Sequence, residues 1–283
     1  MAKSKKDQYE PDLSDGLTRG IVGVWSLDKH QRLQRYVHAS HGARRRFHND
    51  YRKETSFIDL YCGPGKARIK DSLPEQIIDG SAITAAKTAI SCTPYEKYVI
   101  GDVDQDFVSA CEQRLRQAGA GKIDALVGPA EETARTTVSQ LHKGGLHFAF
   151  IDPFNADLPF SVLATLGELN HMDQLIHFSI MDLSRNLNSM KEDGRLDALA
   201  PGWPSAVKAK MGIDEQRMAV FKHWRSLLES KLKYIVSDKI VKVRGPNRAE
   251  IYWLVFASRH DLGGKLWKEI ADLSPQPQHE LFA

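Results

Sequence analysis

Short apolar runs separated by turn residues dominate the middle of the chain. FIDLY (57–61), ending in Gly-Pro-Gly, predicts a buried parallel strand. YVIGDVD (98–104), DALVG (124–128), LHFAFID (146–152) and QLIHFSIMD (174–182) predict four more. Between them the apolar spacing turns helical. Phe107, Val108, Cys111 and Leu115 share one face, stopped by Gly119; Ala134, Val138 and Leu141 share another, ended by Gly144-Gly145. Val162, Leu163, Leu166 and Leu169 follow Pro159, a residue tolerated in a first helical turn. Strand and helix in alternation predict a parallel sheet covered on both faces.

The flanks read differently. Residues 1–16 are polar and predict a loose segment, and Leu33, Tyr36 and Val37 predict a helix from Leu27 to about Phe47, with Ser26 and Asp28 as candidate caps. Segment 185–212 breaks the rhythm and predicts an irregular insertion or lid. Phe221, Trp224, Leu227 and Leu228 predict a helix over 214–232. KIVKVR (239–244) and AEIYWLVFAS (249–258) are separated only by GPNR (245–248). So short a link makes them an antiparallel hairpin, since a parallel crossover needs about a dozen residues. A helix over 264–273 closes the chain. The expected fold is α/β and Rossmann-like: a mostly parallel seven-stranded sheet with a C-terminal antiparallel hairpin. It divides into a basic N-terminal helical segment, 1–50, and the α/β domain, 51–275.

Composition refines this picture. Of 283 residues 42% are apolar, enough for a sizeable core, and no run approaches the roughly 18 apolar residues of a membrane helix. Cys62, Cys92 and Cys111 are far apart and odd in number, which predicts a reduced, cytoplasmic protein. The net charge of +3 is uneven, because residues 1–56 carry 12 Lys/Arg against 7 Asp/Glu, with His30, His38, His41 and His48 among them. A basic flank attracts nucleic-acid phosphates, and a solvated helix surface accounts for the same residues.

A parallel sheet that ends in an antiparallel hairpin resembles the S-adenosylmethionine-dependent methyltransferases. On that reading S-adenosylmethionine is the expected cofactor, and the strand ends supply its site. In LYCGPGK, Gly63 and Gly65 remove side chains where backbone must approach a ligand, Pro64 fixes the turn, and Tyr61 flanks it. Asp59, just before the loop, is a candidate for the methionine ammonium. Asp102 is the first candidate for the ribose hydroxyls, with Asp104 either sharing that role or capping the next helix. Pro129 and Ala130 fall near the adenine. Asp152, Pro153 and Phe154 lie where amine methyltransferases carry an Asp/Asn-Pro-Pro-aromatic motif, and an Asp-Pro turn ending a strand is the plain alternative. Trp25, Lys29 and His30 are candidates to fold over the cofactor edge; His147 and His177 read as hydrogen-bonded core histidines, and Tyr252 and Trp253 as packing residues. A dinucleotide fits poorly, because no third glycine follows and the next strand-end acid is as distant as Asp102; GKS and GKT are also absent from the loop.

FIDLYCGPG with GSA (80–82), the early tryptophan-lysine helix, IDPF and EIYWLVFASRH together resemble the three-Cys-motif partner proteins over about 25–270. These are bacterial and phage-associated proteins with a methyltransferase-like fold, encoded beside a small cysteine-motif protein. The resemblance implies a companion protein and places Asp59, Gly63, Gly65, Asp102 and Asp152 at cofactor and chemistry. This chain has IDPFN where IDPFG or IDPYG is expected. The reading favoured is a methyltransferase acting on nucleic acid. A non-catalytic partner subunit is one alternative, and a metal-dependent nuclease using Asp59, Asp102 and Asp152 is another.

Overall fold

The computed structural model describes residues 8–51, 53–245 and 249–272. The chain opens with β1 (Tyr9–Pro11) and β2 (Thr18–Val22), then α1 (Ser26–Ala39), α2 (His41–Arg46) and a π-helical turn, Phe47–Tyr51. Strand β3 (Thr55–Asp59) follows, and the chain then forms β4 (Lys66–Ile69) and β5 (Ile77–Asp79) before α3 (Ser81–Ile90). Regular alternation runs through β6 (Lys97–Asp102), α4 (Gln105–Gln117), β7 (Lys122–Val127), α5 (Ala130–Gln140), β8 (Leu146–Ile151), α6 (Phe160–Leu166) and β9 (His171–Phe178). Helices α7 (Ile180–Glu192), α8 (Arg195–Leu199) and α9 (Ile213–Ser230) lead to β10 (Ile235–Val236), β11 (Val241–Arg244), β12 (Glu250–Ser258) and α10 (Asp261–Ala271).

The main sheet has the order β7-β6-β3-β8-β9-β12, with β10 and β11 both paired along the outer edge of β12. Five strands are parallel, and β12 runs antiparallel between β9 and that edge. This is the Rossmann-like arrangement the sequence predicts, with eight strands filling seven positions. The reason is visible in alternation along each strand. Phe57, Tyr98, Phe148, Phe150, Leu254 and Phe256 face a layer that includes α1, α3, α4 and α10. Ile58, Val99, Ala149, Ile151, Val255 and Ala257 face a layer that includes α5, α6, α7 and α9. Strands covered on both sides read as continuous apolar runs because neither face meets water.

The flanks depart from expectation. Residues 8–16, expected to be loose, include β1, which joins β2, β4 and β5 in a separate four-stranded sheet. The run 174–182 is not strand throughout, since β9 stops at Phe178 and Ile180 begins α7. Segment 185–212, expected to be irregular, continues α7 to Glu192 and adds α8 and a 3-10 turn, Trp203–Ser205. The middle of the hairpin turn, 246–248, lies outside the described residues.

Candidate functional site

Parallel strands bring their carboxyl ends to one edge, so Asp59, Asp102 and Asp152 gather from β3, β6 and β8. Asp59 is fully buried. Ser81 at the start of α3 donates to its Oδ2 at 2.5 Å, and the Tyr61 amide donates to Oδ1 at 3.2 Å. Burial pushes its carboxyl up to about 7, helped by the charges of Asp152 and Asp102 and opposed by those two hydrogen bonds. Asp59, a candidate for the methionine ammonium, lies beneath the loop that it organises.

That loop is shaped by two left-handed glycines. Gly63 (φ +52°) faces space in which a Cβ would meet nothing within 4 Å. Gly65 (φ +80°) has the opposite surroundings, because a Cβ there would come within 3.1 Å of the Cys111 backbone. Buried Arg114 ties the loop to the small sheet. It donates to the carbonyls of Pro64 and Thr18, each at 2.7 Å, and pairs with Asp15 at 2.8 Å. Lys66 adds an ion pair to the buried Asp12 at 2.8 Å, and it and the two hydrogen bonds from Ser14 hold the Asp12 carboxyl well below its usual range against the cost of burial.

Asp102 accepts the Gly63 amide on Oδ2 and the Asp104 amide on Oδ1, both at 3.1 Å. Burial pushes its carboxyl up while those backbone donors oppose the shift. Each oxygen holds one of these bonds and keeps lone-pair capacity for another donor. Asp104 serves differently, capping α4 by accepting from the amides of Asp106 and Phe107. Gly128 donates to the Asp102 carbonyl at 3.0 Å, which sets Pro129 and Ala130, the start of α5, beside the end of β6. Tyr61 turns inward, where burial, with Glu131 and Asp157 adding to it, pushes its phenol well up.

At the end of β8, Asp152 stands between two nitrogen groups. Lys29 of α1 reaches its Oδ2 at 2.5 Å, and His177 of β9 places Nδ1 2.8 Å from Oδ1, in ion-pair range though out of line for a hydrogen bond. Burial disfavours the charge on Asp152, but Lys29 and His177 outweigh it and hold the carboxyl well below the usual range. Burial also lowers the His177 imidazole, against the pull of Asp152. The Tyr252 ring packs edge-on against His177 at 4.2 Å, and its hydroxyl donates to the Trp25 carbonyl at 2.8 Å, docking the start of α1. Loss of water around the partly buried His30 ring, with Lys29 beside it, pushes that imidazole down to about 4. Pro153 is buried, whereas Phe154 is 74% exposed and turned away from the core.

Of the early tryptophan-lysine-histidine group, then, Lys29 enters the site directly, and His177, expected as a core histidine, joins it. His147 is a core residue as expected, bonded to Ser56 at 2.7 Å and to the His142 carbonyl at 2.9 Å. Sequence reasoning misses Ser81 and Arg114 as individual residues, although Ser81 falls within the GSA motif. The basic segment does not present its charge as one surface. Among its described cations, Arg19, Lys29, Arg32 and Arg46 are ion-paired within the chain, and Arg44 is fully buried. Among the described residues no group of three or more His, Cys, Asp or Glu is placed to hold a metal. Nor is any described helix long and apolar enough to cross a membrane.

No family model matches the chain, and no curated protein matches it in sequence. Solved structures do. Protein LPL1258 from Legionella pneumophila is 10% identical with a TM-score of 0.50, over 87% of this chain and 91% of that one. Trm1 from Pyrococcus horikoshii, solved with S-adenosyl-L-methionine, is 11% identical with a TM-score of 0.45, over 90% of this chain. This chain covers 62% of the Pyrococcus protein's length. An O-methyltransferase from Bacillus cereus, solved with S-adenosylhomocysteine, is 8% identical with a TM-score of 0.45, over 84% and 82% of the two chains. At these identities the likeness is one of fold alone.

Proposed function

We propose that this chain is an S-adenosylmethionine-dependent methyltransferase. The observation that carries the reading is the join between Asp102 and the first loop. The Asp102 carboxylate holds the Gly63 amide, and the space over Gly63 is open where a side chain would otherwise stand. The residues present fit the cofactor. Asp102 retains acceptor capacity for two ribose hydroxyls, the 60–65 backbone would meet the methionine portion, and Pro129 and Ala130 would flank the adenine. Asp59, raised to about 7 and shielded by the loop, acts on a nearby ammonium only through the field it exerts once ionised. When bound, the cofactor supplies an electrophilic methyl group. The protein's remaining work is to orient the acceptor and exclude water.

The acceptor side is assigned to Asp152 and its neighbours, since β8 lies next to β3 in the sheet and its end borders the loop. A nucleic-acid acceptor, suggested by the basic N-terminal segment, and a companion cysteine-motif protein, implied by the family resemblance, belong to this proposal. A labelled-methyl assay against RNA, DNA and protein fractions tests the activity. Asp152→Ala should abolish transfer while leaving S-adenosylhomocysteine binding within a few-fold of wild type. Binding with no transfer by the unmodified protein, alone or with its companion, would favour the non-catalytic partner reading instead.

A further inference from the structure

The Asp-Pro-aromatic pattern suggests an acceptor amine held by a free carboxylate and an aromatic lid, and the side chains are not arranged that way. Both oxygens of Asp152 face nitrogen groups, Lys29 at 2.5 Å and His177 at 2.8 Å. Phe154 points outward. An incoming alkylamine, cationic near neutral pH, would meet the Lys29 ammonium and have to displace it from Asp152. An exocyclic amine would find Oδ2 taken by Lys29, leaving it only Oδ1, and no aromatic ring turned inward to stack on its base.

The same arrangement suits a hydroxyl. We infer that the acceptor is a hydroxyl group and that Lys29 is a catalytic residue which donates a hydrogen bond to the acceptor oxygen. This rests on the methyltransferase reading above. Lys29 has three N–H donors and commits one to Asp152, so others are available to an oxygen beside it. Such a donor favours the partial negative charge that grows on a hydroxyl as its proton is drawn away. Asp152 is the adjacent base. As the new oxygen–carbon bond forms, the methyl carbon–sulfur bond breaks and its electron pair stays on sulfur. The hydroxyl proton passes to the free Oδ1 of Asp152 as that bond forms, and then to water. The anchoring of α1 by the Tyr252 hydroxyl at the Trp25 carbonyl keeps the Lys29 stem aimed at the site.

The test uses the full-length chain with S-adenosylmethionine labelled in the methyl group, with total RNA and soluble protein as probes. Hot hydriodic acid releases O-methyl groups as volatile methyl iodide under conditions milder than N-methyl cleavage requires. The expected product is an ether. Lys29→Met should lose roughly 100-fold or more in kcat while S-adenosylhomocysteine affinity, read by calorimetry, stays within threefold. Lys29→Arg controls for folding through its melting curve. A crystal structure with S-adenosylhomocysteine adds a readout independent of activity, and its sulfur should lie within about 7 Å of Lys29 Nζ, room for one methyl and one oxygen. Label found only as N-methyl, full kcat in Lys29→Met, or a sulfur directed away from Lys29 would overturn the inference. Cofactor binding without any ether product would overturn it as well. Failure of the wild-type protein to bind S-adenosylhomocysteine would instead strike at the methyltransferase reading itself.

Discussion

Replacing Asp59 with Asn gives the sharpest test of the electrostatics under the first loop. The carboxyl is fully buried and raised from 3.8 to about 7. A folded-state pKa above the unfolded value means the native chain holds a proton that the unfolded chain has released. The associated stability is therefore complete below pH 3.8 and is lost as pH rises toward 7. A difference of about three pH units corresponds to roughly 4 kcal/mol as a ceiling. Asn is neutral at every pH and similar in shape. Its oxygen still accepts the Tyr61 amide, and Ser81 can reverse its hydroxyl to accept from the Asn amide. The assay is urea unfolding at intervals from pH 4.5 to 8, with the variant subtracted from wild type so that other titrating groups cancel. The difference should be small at the acidic end and should grow to several kcal/mol in favour of the Asp59→Asn variant at pH 8. A difference profile that is flat across this range would refute the claim that Asp59 is buried at a cost. S-adenosylhomocysteine affinity adds a second readout, because loss of the charge should weaken binding at pH 8 and have little effect at pH 5.

The neighbouring glycines should separate. Gly65→Ala, which brings a Cβ within 3.1 Å of the Cys111 backbone at φ +80°, should lower stability by about 2–3 kcal/mol in denaturant unfolding. Gly63→Ala should cost only about 1 kcal/mol, for its backbone angle alone, yet weaken cofactor binding because its Cβ enters open space. Arg114→Ala should destabilise by about 3 kcal/mol or more, since it strands the Pro64 and Thr18 carbonyls and the partner Asp15, and a stability gain would contradict that. His30 and His147, both lowered to about 4, should remain neutral at pH 5.5 in an NMR titration. Their folded values lie below the unfolded one, so the stability they contribute is present above pH 6.5 and lost as pH falls toward 4. A midpoint near 6.5 for either ring would show that it is not shielded as described.

The main sheet was legible because strands buried on both faces leave a strong mark: FIDLY, YVIGD and LHFAFI are runs that few soluble helices would carry. The small sheet left almost none. Its strands are three to five residues long, and YEP, TRGIV, KARI and IID lack a sustained alternation. Helix α3 escaped for the opposite reason, since SAITAAKTAI is mostly buried small residues with little polar face to set a period. The apolar run through 174–182 concealed the end of β9, because an apolar run alone does not tell a buried strand from a helix start. At the site, strand ends supplied the acids from pattern alone. Which acids would be exposed, buried or spent on caps depended on contacts far apart in sequence, such as Ser81 to Asp59 and Lys29 to Asp152. In the first 56 residues, Arg32 and Arg46 pair within the segment, whereas the contacts of Lys29 with Asp152 and Arg19 with Glu75 are invisible to a local count.

The central claim is that Asp102 and the loop it holds form a cofactor pocket. Calorimetric titration with S-adenosylhomocysteine of the wild-type chain and of Asp102→Asn tests it most directly. Asn keeps an oxygen for the Gly63 or Asp104 amide but loses the charge and one of the two acceptors. The account predicts micromolar binding to the wild-type chain, weakened about tenfold or more by the substitution, or roughly 1.4 kcal/mol. No detectable binding at millimolar ligand, or equal affinity in both proteins, would contradict it.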